Sequence, residues 1–250
     1  MKNIIPIVVF GLIAFLFIRG CGSDDSSYQT SPVDKMIKTL AQEQNFSIIL
    51  HDMQSDGGKY YHQYMTLVEK PDTVLVDSTD WELVSDEFFD KHIDNMGMEI
   101  ASKKDGKLTK LASPAGYNHY VGNTRYGRWN NRNGYSFWEF YGQYAFMSSM
   151  FNIMTYPVRR SYYDEYYGGY YGRTAYYGPG GSYYGTKTYT STPRGQKSSW
   201  GSKPSAFKQS VRSSVSRSAS ASRTARTSSR YGSSSSSSSF RSRSSSGFGK

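Results

Sequence analysis

Beyond Glu165 this chain of 250 residues has no acidic residue, and that boundary restricts where a folded body can sit. All 20 acidic residues lie at or before Glu165 together with 16 of the 30 basic ones, so the first 165 residues carry a net −4 and the remainder +14. The overall charge of +10 therefore belongs to the C-terminal third and not to a basic fold. That third is also low in complexity. Tyr162 to Tyr189 holds five Tyr-Tyr pairs, at 162–163, 166–167, 170–171, 176–177 and 183–184, most of them followed by glycine. From Thr190 onward serine dominates, with scattered arginine and the run Ser233 to Ser239. The spacing of the pairs drifts and no aliphatic residue among them offers a core. Residues 157–250 are therefore expected to form a disordered basic tail, Tyr/Gly-rich and then Ser/Arg-rich, unable to bury enough apolar area to offset its backbone entropy.

At the other end, Lys2 precedes an apolar run from Ile4 to Ile18, interrupted by Pro6 and Gly11. Its length suits the h-region of a signal peptide, about 7–15 residues, better than a membrane-spanning helix of about 20. Residues 1–21 read as a signal peptide or signal anchor and 22–32 as a polar tether. Ile18-Arg19-Gly20-Cys21 resembles the signal of bacterial lipoproteins. The resemblance implies that Cys21 is diacylated and becomes the mature N-terminus. Arg19 stands where small or apolar residues are usual in that family, and an uncleaved signal anchor is the alternative. Gly22-Ser23-Asp24-Asp25 resembles the acidic export tag of surface lipoproteins in some Gram-negative bacteria. In either case the cations precede the apolar run and Asp24 and Asp25 follow it, which places the body outside the cytoplasm. The expectation is a membrane-anchored, extracytoplasmic protein of the outer or inner membrane of a bacterium. Cys21 is the only cysteine, which excludes an internal disulfide and any multi-cysteine metal site.

Between these ends, residues 33–112 read as a small α+β domain. Met36, Ile37, Leu40 and Ala41 recur at helical spacing after Ser31-Pro32. Phe46 to Met53 and Tyr60 to Glu69 flank Asp56-Gly57-Gly58 as a hairpin, and a third strand runs through Val74, Leu75 and Val76, with a possible resumption at Trp81. Ser85 caps a second helix whose Phe88, Phe89, His92, Ile93 and Met96 share a face. Lys103-Lys104-Asp105-Gly106 then turns a last hairpin. The order implies two helices on one face of a small, mostly antiparallel sheet. Residues 113–135 read as a Gly/Asn/Tyr connector. Residues 136–156 read as an amphipathic aromatic helix carrying Phe137, Phe140, Tyr141, Tyr144, Met147, Phe151 and Met154, packed on the body, self-associating, or lying at a membrane surface.

The chemistry legible in this pattern is sparse. His51 and His62, with Asp52 nearby, could face each other across the first hairpin as two metal ligands, but no third ligand is fixed by spacing, and each histidine has an ordinary place on a strand. The acidic group Asp77, Asp80, Glu82, Asp86, Glu87 and Asp90 lacks a calcium-loop pattern and reads as a solvated face and helix start. No hydrolase, zinc-protease or phosphate-loop motif occurs. The chain is thus expected to be no enzyme, with no catalytic, cofactor-binding or metal-binding residue, no cofactor, and Cys21 as its single site, for lipidation. Its expected partners are the membrane through the N-terminal segment and anionic lipid or glycan surfaces through the tail. Self-association is a further option, and sequence-nonspecific nucleic-acid binding, by cations on phosphates and stacked tyrosines, is the alternative.

Overall fold

Ile48, Ile49 and Leu50 are successive residues of one strand and all three are buried, so this strand is covered on both faces. Neighbouring side chains of a strand point to opposite sides, which means the sheet is an inner layer and not the outer wall of a two-layer domain. The computed structural model describes residues 30–231, with side chains to Thr224. The apolar run, Cys21, most of the tether and residues 232–250 lie outside the described residues.

The first helix, α1 (Pro32–Thr39), begins where Ser31 Oγ accepts the Asp34 N–H at 3.1 Å and Pro32 supplies a preset φ. Strands β1 (Phe46–Asp56) and β2 (Lys59–Glu69) follow, joined through Gly57 and Gly58 at φ of 55° and 76°, a conformation glycine adopts without penalty. β3 (Val74–Ser78) and β4 (Glu82–Val84) both pair with β2. α2 (Asp86–His92) is capped by Ser85, whose Oγ accepts the Phe88 N–H. β5 (Met98–Lys104) returns beside β1 and carries β6 (Lys107–Thr109) and β7 (Ser113–Pro114). The sheet order is β3-β2-β1-β5-β6, and every pairing is antiparallel. The chain thus combines helices with a mostly antiparallel sheet, as its periodicity implied.

Downstream the structure departs from expectation. β8 (Gly127–Arg132) and β9 (Tyr135–Phe140) form a separate hairpin, which falls partly in the expected connector. The expected aromatic helix over 136–156 is replaced by β9, a 3-10 turn at Gly142–Tyr144 and the single-turn α3 (Phe146–Met150). The physical reason is visible at 138–140. Trp138 and Phe140 are buried with the two-residue period of a strand, and Trp138 stacks edge-on with its cross-strand partner Trp129 at 5.2 Å. Two residues of the anticipated helical stripe, Tyr141 and Met154, are exposed.

The expected disordered tail is also corrected for residues 157–231. α4 (Arg160–Glu165) runs into a π-helical turn at Tyr166–Tyr170, and α5 (Thr186–Tyr189), α6 (Pro193–Gln196) and α7 (Ser205–Tyr231) follow. Tyrosine supplies the core that aliphatic residues do not. On one face of the sheet Ile49, Met65 and Leu67 meet Tyr117, Tyr120, Tyr126, Trp138, Tyr166 and Tyr176. Their rings meet mostly tilted or edge-on, for example Tyr120 and Tyr126 at 5.1 Å, the geometry favoured by the ring quadrupole. On the other face Ile48, Leu50 and Tyr64 pack against Val33, Phe89, Ile93, Trp200, Val211 and Val215, drawn from α1, α2, α7 and the turn before α7. α7 lies along α2, and its Arg212 and Arg223 pair with Asp94 and Asp90 at 2.6 and 2.9 Å. Part of the tail's positive charge is therefore met by the acidic body of the same chain.

Candidate functional site

β1 contains a β-bulge. Leu50 pairs with Tyr64 and Asp52 with Gln63, so His51 has no partner in the register. Leu50 and Met53 consequently both point into the helix-side core, three residues apart. Both intervening side chains, His51 and Asp52, instead line one cleft with Met65 and Ser78, which oppose each other across β2 and β3. Bulges characteristically re-aim side chains in this way.

The opposite wall of the cleft comes from residues 189–198. β5 pairs with β1 only over Phe46–Ile49, which leaves the rest of that β1 edge open. The Gly97 N–H closes on the Leu50 carbonyl at 2.7 Å, and the Asp52 carboxylate accepts the N–H groups of Ser199 at 2.6 Å and Trp200 at 3.1 Å. Asp52 also accepts the Met53 N–H at 2.7 Å. Both of its oxygens are thus committed to backbone donors, and it serves as the cap that fixes the turn. Thr192 begins α6 by accepting the Gly195 N–H at 3.0 Å while donating to the Tyr189 carbonyl at 2.7 Å. Gly195 is required there, because a Cβ would sit 1.9 Å from the Tyr189 oxygen. This wound turn carries Arg194, Lys197 and Ser198 beside His51, and the open cleft between them has a volume of about 430 Å³.

The electrostatics of the cleft are cationic. Among the described residues neither Arg194 nor Lys197 has a carboxylate within ion-pair distance, and Arg194 reaches only the Ser149 hydroxyl, at 3.4 Å. Burial pushes the His51 imidazole below its ordinary value; Asp52 opposes this and Arg194 adds to it, so the ring is neutral at pH 7. Burial pushes the Tyr189 phenol up to about 12, which keeps it protonated.

The other histidines are spent inside the fold. His62 lies on the helix-side face of β2, opposite in sense to His51, with Nδ1 3.0 Å from the Tyr64 hydroxyl and its ring 5.1 Å from Phe89. The two-histidine metal arrangement across the hairpin is therefore overturned by the bulge. His92 meets Asn95 at 2.9 Å, and burial lowers its pKa to about 3. His119 Nε2 lies 2.5 Å from Glu69, which also receives Arg125 at 2.5 Å and Asn45 at 2.7 Å, a cluster that ties the end of β2 to the loop before β8. Among the described residues no three His, Cys, Asp or Glu side chains are grouped to hold a metal ion. No helix among them is long and apolar enough to cross a membrane. Cys21, the one site residue expected from the sequence, lies outside the described residues. Comparison of the chain with protein-family models, curated proteins and solved structures gave no match. The cleft residues were not singled out from the sequence as a cationic site, since Arg194 and Lys197 stand in a serine-rich stretch 140 residues and more from His51.

Proposed function

We propose that this chain is a membrane-anchored, extracytoplasmic protein that works by binding anionic groups and not by catalysis. One observation carries the reading: the cations of the C-terminal third are not all consumed by the body. Arg212 and Arg223 are paired, but Lys187, Arg194, Lys197, Lys203, Lys208 and Arg217 have no carboxylate within ion-pair distance among the described residues. The anchor rests on the apolar run and Cys21 described above. A binding role is supported by the use of His62, His92 and His119 inside the fold, and by the commitment of both Asp52 oxygens to backbone N–H groups.

Three measurements on the full chain test it. Intact-mass analysis of membrane-extracted protein, beside a Cys21→Ala variant, reports signal cleavage and acylation together. Release of the variant from the membrane supports lipidation; retention with Met1 still present assigns a signal anchor instead. A C-terminal tag cleaved by protease on intact cells, or on cells with a permeabilised outer membrane, supports the extracytoplasmic body, and full protection in both refutes it. Binding of the detergent-held chain to anionic vesicles should weaken linearly, log against log, as salt rises.

A further inference from the structure

We propose that the cleft between the His51 bulge and the α5–α6 turn is a binding site for a phosphomonoester. This rests on the anion-binding reading above and adds a place and a ligand class to it. The donor set selects the class. Arg194 and Lys197 bring two positive charges with no carboxylate partner, while the sole carboxylate of the lining, Asp52, is held by the N–H groups of Met53, Ser199 and Trp200. With Asp52 counted the lining carries a net +1, so the discrimination comes from the donors: a phosphomonoester offers three terminal oxygens to the guanidinium, the ammonium and the Ser78 hydroxyl, whereas a carboxylate offers two. The donors differ usefully: a guanidinium presents a planar fork that suits two phosphate oxygens, and an ammonium adds a mobile point charge. The Ser78 hydroxyl and the neutral His51 ring complete a polar rim able to donate to the remaining oxygens.

Size selects the ester. A volume of about 430 Å³ lies in the range of small-molecule pockets and exceeds what a bare phosphate group fills. Met65 and the buried Tyr189 ring offer an apolar floor on which an organic body can rest. The walls are preformed, because the Asp52 cap and the close approach at Gly195 fix the turn independently of any ligand. The same phosphate chemistry occurs on soluble metabolites and on lipid headgroups, and the experiment separates the two sources.

The full chain is held in uncharged detergent and titrated calorimetrically with glycerol phosphate, with acetate and sulfate as comparison anions. Vesicles with and without phosphatidic acid are added in a second arm. Saturable 1:1 binding of glycerol phosphate is expected, with acetate weaker by at least about tenfold. Arg194→Gln and Lys197→Gln should each weaken it by about tenfold, the loss of one charge-assisted hydrogen bond. Arg217→Gln, on α7, should leave it unchanged. Equal unliganded melting temperatures of the three variants exclude misfolding as the cause. Glycerol phosphate binding assigns a soluble ligand; vesicle binding that depends on phosphatidic acid and on Arg194 assigns a lipid headgroup, and either supports the site. Insensitivity of both to Arg194 and Lys197, or equal affinity for acetate, overturns it. Salt-sensitive vesicle binding that survives both substitutions would leave the general anion reading standing while removing this site.

Discussion

The Asp52 carboxylate accepts the Trp200 N–H at 3.1 Å, joining the second half of β1 to a residue 148 positions later. Trp200 itself is fully buried beside Phe89, its ring 5.9 Å away. A charged acceptor and a large buried ring thus hold the same turn from two sides. Asp52→Ala should lower stability by about 1–3 kcal/mol, since three backbone donors lose their acceptor. Trp200→Ala should cost more, about 3–5 kcal/mol. Chemical denaturation of the two variants checks the order; a neutral Asp52→Ala would mean that water replaces the cap.

Truncation after Arg160 should abolish cooperative unfolding. The cut removes Tyr166 and Tyr176 from one core and Trp200, Val211 and Val215 from the other, uncovering both faces of the sheet. Differential scanning calorimetry of the truncated chain checks this. An unchanged melting temperature would show that the sheet needs neither layer.

Two carboxylates, the partly buried Glu69 and the fully buried Glu99, should give the stability profile opposite slopes. Burial raises the Glu69 carboxyl, but the Tyr126 hydroxyl, His119 and Asn45 together outweigh it and hold the group below its ordinary 4.5. Its contribution is therefore present above that value and lost as pH falls through the depressed one. Glu99 is pushed up by burial, with Asn118 opposing, so its contribution is present below 4.5 and lost as pH rises through the raised value. Glu69→Gln should flatten the acid limb and Glu99→Gln the limb above 4.5, read as melting temperature against pH. Parallel profiles for the two variants would refute the assignment.

Gly195→Ala should open the α5–α6 turn, because its Cβ would meet the Tyr189 carbonyl at 1.9 Å. The expected cost is about 1–3 kcal/mol, typical of forced overpacking. The comparison is Gly180→Ala, where nothing lies within 4 Å of the added methyl and only the positive φ opposes it. Equal losses at both positions would show that crowding at Gly195 is relieved by backbone movement.

The first half of the sheet was legible because its signals are local: Ser31 and Ser85 cap their helices, and Gly57-Gly58 and Asp105-Gly106 turn their hairpins. An equally local signal lies in the β8–β9 hairpin. Asn133-Gly134, at φ of 50° and 79°, is a strong two-residue hairpin turn, and it fixes the register that makes Trp129 and Trp138 partners. The stripe Phe137 to Met154 fits helical spacing only if Trp138 is ignored. The tyrosine pairs read as spacers because aliphatic residues are the usual sign of a core, yet a tyrosine ring buries as much area and needs only a partner for its hydroxyl, as Tyr166 finds in Asn118 at 2.5 Å. The cleft was not legible for a different reason. It requires a bulge at His51, which no local rule places, and a contact between positions 52 and 199 that only the completed fold creates.

The late closure of the β1 edge also sets a schedule for folding. A strand formed near residue 50 waits for a turn near residue 200, and the sheet's tyrosine layer waits for residues up to 176. Contacts this distant in sequence slow folding, since loop closure precedes any gain from the contact. A nascent chain emerging N-terminus first holds an unfinished sheet until the turn near residue 200 has been synthesised, long enough for a holding chaperone to find Ile49 and Leu67 still bare.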